Sequence, residues 1–212
     1  MTFQHIGHAE FKIHLENGLR LVTDPYDASC GYPVTPVSAD AVLVSHSHHD
    51  HNAVENVTGH PQILDTAGTH TLDPSTMVKA ILSDHDDAGG QKRGKTLLFL
   101  LEAEGLRVAH LGDLGRPLTK EEIAFLSPVD ILMIPVGGYY TIDAKTAFSV
   151  AQSLNARIIL PMHYRTNYNA DWPIAPADDF ISLFDPSVVN DTGEVLRVTR
   201  GDLNCHPHVV VL

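Results

Sequence analysis

Five of the six residues in the run His46-Ser47-His48-His49-Asp50-His51 carry side chains that bind metal ions. His46 and His48 flank a single residue, and Asp50 and His51 follow within one turn of chain. A backbone that leaves a strand in an extended step and then curls aims the first two imidazoles at one ion and turns Asp50 and His51 toward a second. Zinc takes imidazole nitrogen at about 2.0–2.1 Å and carboxylate oxygen at about 2.0–2.2 Å, and a catalytic site keeps a position open for water. Two divalent ions about 3.5–4 Å apart lower the pKa of a shared water toward neutrality. The hydroxide so formed attacks a carbonyl or phosphoryl centre whose oxygen a metal polarises. The plain alternative is a polar loop of solvated histidines. His49, the intervening residue, faces solvent or substrate in either case.

Such a loop needs rigid elements behind it. Residues 40–45 (DAVLVS) form a short apolar run of the kind buried on both faces of a sheet, and the histidines begin at its end. Upstream, Phe11, Ile13 and Leu15 alternate, Asn17-Gly18 supplies a turn, and Leu19 and Leu21 resume the alternation. That pattern predicts a hairpin ending at Asp24-Pro25. A second hairpin is predicted over residues 96–103 and 106–111 about Glu104-Gly105, followed at once by Gly112-Asp113. Thr119 with Glu122 makes a capping box for a short helix that stops near Ser127-Pro128. Residues 131–136 read as an apolar strand. Thr141 or Asp143 then caps a helix in which Ala144, Ala147, Phe148, Ala151 and Leu154 follow helical spacing. Residues 157–160 form a strand with His163 just past it. The remainder predicts a helix near 178–184 and strands near 195–198 and 209–212. Sheets mixed with helices give an α/β or α+β class. Asp24, His46, Asp113 and His163 all sit where an apolar strand stops, on the rim that ligand sites of α/β folds prefer.

With 212 residues, 43% hydrophobic and 19% charged, the chain suits one domain, residues 1–212, around one core. It has no run of roughly 18 apolar residues to span a membrane, and its first residues lack the layout of a signal peptide. Cys30 and Cys205 make no disulfide framework and read as structural thiols in a reducing, cytoplasmic compartment. A formal net charge of −12 argues against a nucleic-acid surface, which needs basic patches. Neither a Gly-x-Ser-x-Gly elbow nor a Walker-type loop occurs in the sequence. Gly89-Gly90 and Gly137-Gly138 read as loop signals first. Arg93 and Arg165 could clamp a carboxylate or phosphate, or lie on the surface. Tyr139, Tyr140 and Tyr164 could donate to a leaving group, or pack. The expected partner is a small molecule, and a homo-oligomer is compatible with the sequence.

In chain order, Gly7-His8-Ala9, Thr23-Asp24-Pro25, the histidine run, His85 with Arg93-Gly94, Ala109-His110-Leu111-Gly112-Asp113, Ile134-Pro135-Val136-Gly137-Gly138 and Pro161-Met162-His163-Tyr164 carry a likeness. They resemble the metallo-β-lactamase superfamily of binuclear metallohydrolases. Within it, they are similar to the small cytoplasmic hydrolases related to ascorbate-phosphate lactonase. Nothing after Asn167 adds to the likeness.

The resemblance implies a four-layer αββα sandwich of two mixed β-sheets with the site at one edge. It implies one ion held by His46, His48 and His85, a second held by Asp50, His51 and His163, and Asp113 bridging both. The ions would be zinc, with manganese or iron as alternatives. Asp50 and Asp113 are the implied catalytic carboxylates, Asp113 orienting the hydroxide. Asp24 would accept a ligand's imidazole N–H and fix its tautomer, or serve only as a turn residue before proline. His60 and His70 rival His85 as third ligand. His110 reads as a support beside the ligands or a core residue, and a core role is also the alternative for His163. His206 and His208 read as surface residues.

The implied function is hydrolysis of a small anionic ester, lactone or phosphoester by a hydroxide that two metal ions activate. A di-iron redox protein on this fold would favour a carboxylate where His48 stands, and a metallo-nuclease would carry an inserted substrate domain and a basic channel. A non-catalytic metal-binding protein would close the coordination shell.

Overall fold

Period-two alternation builds the first sheet. In the computed structural model, which describes residues 1–191, 193–204 and 208–212, the strands β1 (Thr2–Gly7), β2 (Glu10–His14) and β3 (Arg20–Thr23) form an antiparallel meander. Ile13 stands opposite Leu21 in the predicted hairpin register. The short ribbon strand β4 (Val37–Ser38) precedes β5 (Ala41–Leu43). The chain then passes through β6 (Val57–Thr58), which pairs with β4, and β7 (Gln62–Leu64). β5 lies parallel to both β3 and β7, so it is buried on both faces, as its unbroken apolar run requires.

The second sheet begins with the hairpin β8 (Gly68–Asp73) and β9 (Thr76–Asp84), and continues with β10 (Lys95–Ala103) and β11 (Leu106–His110). Helix α1 (Lys120–Leu126), β12 (Ile131–Pro135), α2 (Ala144–Ser153) and β13 (Ile158–Met162) follow as a strand–helix–strand crossover series. The chain closes with α3 (Asp178–Ile181), β14 (Val189–Asp191), β15 (Leu196–Arg197) and β16 (His208–Val211). β15 joins β1 at the edge of a six-stranded sheet, and the other sheet has eight strands in the order β14-β16-β13-β12-β11-β10-β9-β8. Both sheets mix parallel and antiparallel pairs.

The capping box on α1 is present, with Glu122 N–H donating to Thr119 Oγ1 and Thr119 N–H donating back to Glu122. Of the two candidates for α2, Asp143 caps it, accepting from Thr146 N–H at 2.8 Å. The C-terminal helix is shorter than its pattern suggested, and Phe180 is its fully buried residue. The N-terminal strand β1 and the segments β7 to β9 carry no sequence signal of comparable strength. The inward positions of β9 are Thr76, Val78 and Ala80, small residues that alternate only weakly in hydropathy.

Phe3, Phe11, Ile13, Leu21 and Leu43 of one sheet pack on Phe99, Leu101, Val108, Met133 and Leu160 of the other. Each such fully buried side chain contributes roughly 1.5–3 kcal/mol. The alternate residues Leu98, Leu100, Leu132 and Ile134 face outward under α1, α2 and α3. On the far side, Val22, Val42 and Val44 are covered by Val37 and Val57 of the β4–β6 ribbon and by Val54 of a 3-10 turn. The expected two-sheet sandwich is therefore present, with one outer layer reduced to that ribbon and turn. Among the described residues, no helix is long and apolar enough to cross a membrane.

β1, β3 and β5 run one way in the first sheet, and β9, β11, β12 and β13 run one way in the second. Their C-terminal ends collect His8, Asp24, His46, His85, Asp113 and His163. The connecting turns at Asn17-Gly18 and Glu104-Gly105 lie at the opposite ends of these strands.

Candidate metal centre

Three strands leave the sheets through a left-handed residue: His8 at φ 53°, Asp24 at φ 38° and His163 at φ 52°. That conformation costs a non-glycine residue about 1–2 kcal/mol, and it turns each side chain sharply off its strand. Ahead of Asp113, Gly112 has φ 48°, and a Cβ there would lie 2.5 Å from Thr96 Oγ1 and 2.7 Å from Ser45 Cβ. Only glycine lets that loop press between β10 and the histidine run.

The side chains converge in two overlapping groups. His46, His48 and His85 offer ligand atoms within 4.8 Å of one another, as do His8, Asp50, His51 and His163. Asp113 lies between the groups. Its Oδ2 is 3.4 Å from His85 Nε2, 3.9 Å from His46 Nε2 and 3.3 Å from His163 Nε2, and its Oδ1 is 3.2 Å from His51 Nε2.

Asp24, fully buried, accepts from Ser45 N–H at 2.6 Å, from Ser45 Oγ–H at 2.7 Å and from His51 Nδ1–H at 3.0 Å. Because Ser45 gives its proton to Asp24, its oxygen accepts His46 Nδ1–H at 2.9 Å. In their neutral forms both imidazoles thereby carry the proton on Nδ1 and turn Nε2 toward Asp113. Burial favours a neutral Asp24, yet the imidazoles of His51, His110 and His46 outweigh it and hold the carboxyl below its usual range. Burial likewise opposes charge on His51, and Asp113 with Asp24 overcomes it and raises that imidazole well above its ordinary value. Burial, reinforced by the neighbouring imidazoles of His51 at His46 and of His163 at His8, outweighs the nearby carboxylates and depresses His46 and His8 to about 3.

The cavity at this rim encloses about 330 Å³ and is lined by His48, His49, Asp50, His85, Arg93, Asp113, Tyr140 and Trp172. Arg93 lies over the Tyr140 ring at 5.5 Å, and Tyr140 meets Trp172 edge-on at 6.2 Å. The loop carrying Arg93 is organised by buried Asp86, which accepts from the N–H groups of Ala88, Gly90, Lys92 and Arg93 at 2.8–2.9 Å.

The family model for the beta-lactamase superfamily domain matches residues 2–163. A UPF0173 metal-dependent hydrolase of Carboxydothermus hydrogenoformans is 30% identical over 211 residues, covering 84% of this chain and 88% of that protein. This chain belongs to the beta-lactamase superfamily. A crystal structure of a metallo-beta-lactamase superfamily protein from Thermotoga maritima is 37% identical, with a TM-score of 0.82 over 99% of this chain and 97% of that one. A Bacillus cereus UPF0173 metal-dependent hydrolase is 28% identical over 93% of this chain and 97% of its own length.

Measured against that superfamily fold, the chemistry of the donor set fits divalent ions. Both ring nitrogens of His8 and His163, Nε2 of His51, Nδ1 of His85 and Oδ1 of Asp113 are buried without a hydrogen-bond partner. Buried polar groups are seldom left so, since each costs about 1–3 kcal/mol. His46 Nε2 and His48 Nδ1 approach to 2.9 Å, a separation that two lone pairs hold only around a shared proton or cation.

His85 stands with His46 and His48, whereas His60 is exposed and His70 bonds the Thr66 carbonyl on β8. His110 is buried, with Nε2 toward the Ala9 carbonyl and Nδ1 accepting from Gly112 N–H. His49 is exposed at the cavity rim, where Nδ1 meets Ser29 Oγ at 2.9 Å.

Two of the candidate substrate contacts fall to their plainer alternatives. Tyr164 packs against the outer core and Arg165 is exposed, and neither lines the cavity, because the left-handed turn at His163 carries the following chain away. Arg93 and Tyr140 do line it, while Tyr139 is exposed. The sequence reading missed His8 and Trp172 as residues of the site. The signal for His8 was its place after a strand end, which went unread because β1 itself did. Cys30 is buried, His208 is half-buried at the start of β16, and Cys205 and His206 lie outside the described residues.

Proposed function

We propose that this chain is a cytoplasmic, single-domain hydrolase that holds two divalent ions, zinc first among them, and acts on a small anionic ester, lactone or phosphoester. The observation that carries this reading is Asp113, whose two oxygens lie within 3.9 Å of four imidazoles drawn from both groups. His46, His48 and His85 would hold one ion, Asp50, His51 and His163 the other, with Asp113 shared. Bound ions would acidify a water and polarise the scissile oxygen.

The protein's own groups do the rest. Asp24 and Ser45 keep the Nδ1 protons of His51 and His46 in place, so that both Nε2 atoms stay free to donate electrons. Asp50 and Asp113, the carboxylates lining the cavity, are placed to orient the attacking water and take up its proton. Among the described residues no serine or cysteine lines the cavity, which favours direct attack by water over a covalent intermediate. Arg93, backed by the Tyr140 face, offers a guanidinium to the substrate's anionic group, and Trp172 gives the cavity an apolar wall.

Metal analysis of the purified protein is expected to return close to two ions per chain. A panel of lactones, thioesters and phosphodiesters should then reveal turnover that Asp113→Ala and His48→Ala abolish. Full metal content and full turnover in both variants would overturn the reading.

A further inference from the structure

We infer that His8 is a ligand of the inner ion, a fourth side chain beside Asp50, His51 and His163. His8 closes that site, and the ion at His46, His48 and His85 is left as the exchangeable one that meets substrate. This inference rests on the two-ion reading above and adds to it an unequal division of labour between the ions.

Two histidines away from the ligand groups, half-buried His5 and buried His110, show what a purely packed imidazole looks like here. His5 stacks on Phe11 at 4.6 Å and points its two nitrogens at the carbonyls of Leu212 and His8. His110 does the same with the Ala9 carbonyl and the Gly112 N–H. His110 thereby satisfies both ring nitrogens from the protein, and His5 has a carbonyl for whichever nitrogen carries its proton. His8 satisfies neither, although it is only 1% exposed, and in this it matches His163, whose two nitrogens are also unpartnered. A buried imidazole without a partner on either side is costly, and a cation in reach removes the cost.

Geometry points the same way. His8 Nε2 is 3.4 Å from Asp50 Oδ2, and His51 Nε2 is 3.7 Å from the same oxygen. Ligand atoms about 2.0–2.2 Å from a five-coordinate ion stand roughly 2.8–3.8 Å apart across its 90° and 120° angles, so these separations suit one shared ion. The His8 ring lies 4.2 Å from the His163 ring and 5.0 Å from the His51 ring, and its backbone carbonyl accepts His163 N–H at 2.9 Å. The left-handed φ of 53° aims the ring off the end of β1 into this group.

Access separates the two groups. Two of the three outer imidazoles, His48 and His85, line the cavity, whereas of the inner group only Asp50 reaches it and the imidazoles of His8, His51 and His163 do not. An ion among the latter has protein on nearly every side, with Asp113 already shared as a further ligand. The open position for water and substrate therefore belongs to the outer ion.

The test uses the full chain, stripped and reloaded with zinc or cobalt(II), then exposed to a chelator while ion release is followed. Wild type should release one ion quickly and hold the other. His8→Gln and His8→Phe, the latter keeping the packing without a ligand, should speed release of the slow ion by at least about tenfold. His48→Ala should lose the fast ion alone. Cobalt(II)-loaded wild type offers a check that needs no variant: its hyperfine-shifted histidine signals should come from six ligand imidazoles rather than five. Unchanged slow release in both His8 variants, or five imidazoles in the wild type, overturns the inference and leaves the two-ion reading standing. A wild-type content below two ions overturns both.

Discussion

At the scale of single residues, Asp24 supports the centre without lining the cavity. It takes three hydrogen bonds, two of them from Ser45 and one from His51. Removing the carboxylate charge while keeping the shape, as in Asp24→Asn, leaves a donor facing a donor and frees His51 to choose the other tautomer. The expected result is metal affinity lower by about 10–100-fold, read by competition with a chromogenic chelator. Wild-type affinity in that variant would mean His51 is oriented by something else. The histidine run and Asp113 were legible because their spacing is local and each follows an apolar run that names its own strand. His8 was not, because its partner His163 lies across 155 positions of sequence, and no pattern near either residue announces that contact. Tyr164 and Arg165 follow His163 in sequence but do not line the cavity, since its φ of 52° turns the chain there.

At the scale of elements, the seam between α1 and the end of β9 fixes where His85 stands. Arg116 donates to Asp84 through Nε at 2.6 Å and to both Glu122 oxygens at 2.8 and 2.9 Å, and Glu122 also closes the capping box. Burial alone would raise the Glu122 pKa, but Arg116 and the Thr119 N–H outweigh it and lower it. A depressed carboxyl contributes stability that is present above its unfolded pKa of about 4.3 and is lost as pH falls through the lower folded value. Glu122→Gln should therefore cost about 1.5–3 kcal/mol at neutral pH. The gap to wild type should narrow as urea melts are taken below about pH 4.3; a gap that stays constant with pH would refute the assignment. The capping box was legible as Thr119 and Glu122 three residues apart. Arg116's reach to Asp84 was not, because it joins segments whose relative placement only the finished sheet determines.

For the whole molecule, the centre draws His8, Asp24 and the histidine run from one sheet, and His85, Asp113 and His163 from the other. Ions bound there cross-link the two halves of the sandwich at its rim. Metal removal should thus lower the melting temperature of the entire fold rather than loosen one loop. At an ion concentration 100 times Kd, one site is worth about 2.7 kcal/mol, which for a chain of this size is a shift of roughly 5–10 °C. Calorimetry of stripped and reloaded protein would show it as a single transition that moves. Two separated transitions, with only one of them metal-sensitive, would count against a shared clasp. The sandwich class was readable from alternating strands and the crossover helices, whereas the thin ribbon of β4 and β6 was not, since two-residue strands leave no period to detect.

The turns at Asn17-Gly18 and Glu104-Gly105 sit at the end of the sandwich remote from the candidate metal centre, close enough that Glu16 N–H reaches the Glu104 carboxylate. Open space surrounds Gly18, where an added Cβ would meet nothing within 4 Å. Chemistry and attachment are therefore segregated to opposite poles of the molecule. A fluorophore, a solid support or a grafted peptide fixed at exposed Glu16, beside Gly18 whose φ of 94° disfavours any side chain, would leave the metal-binding mouth pointing freely into solution.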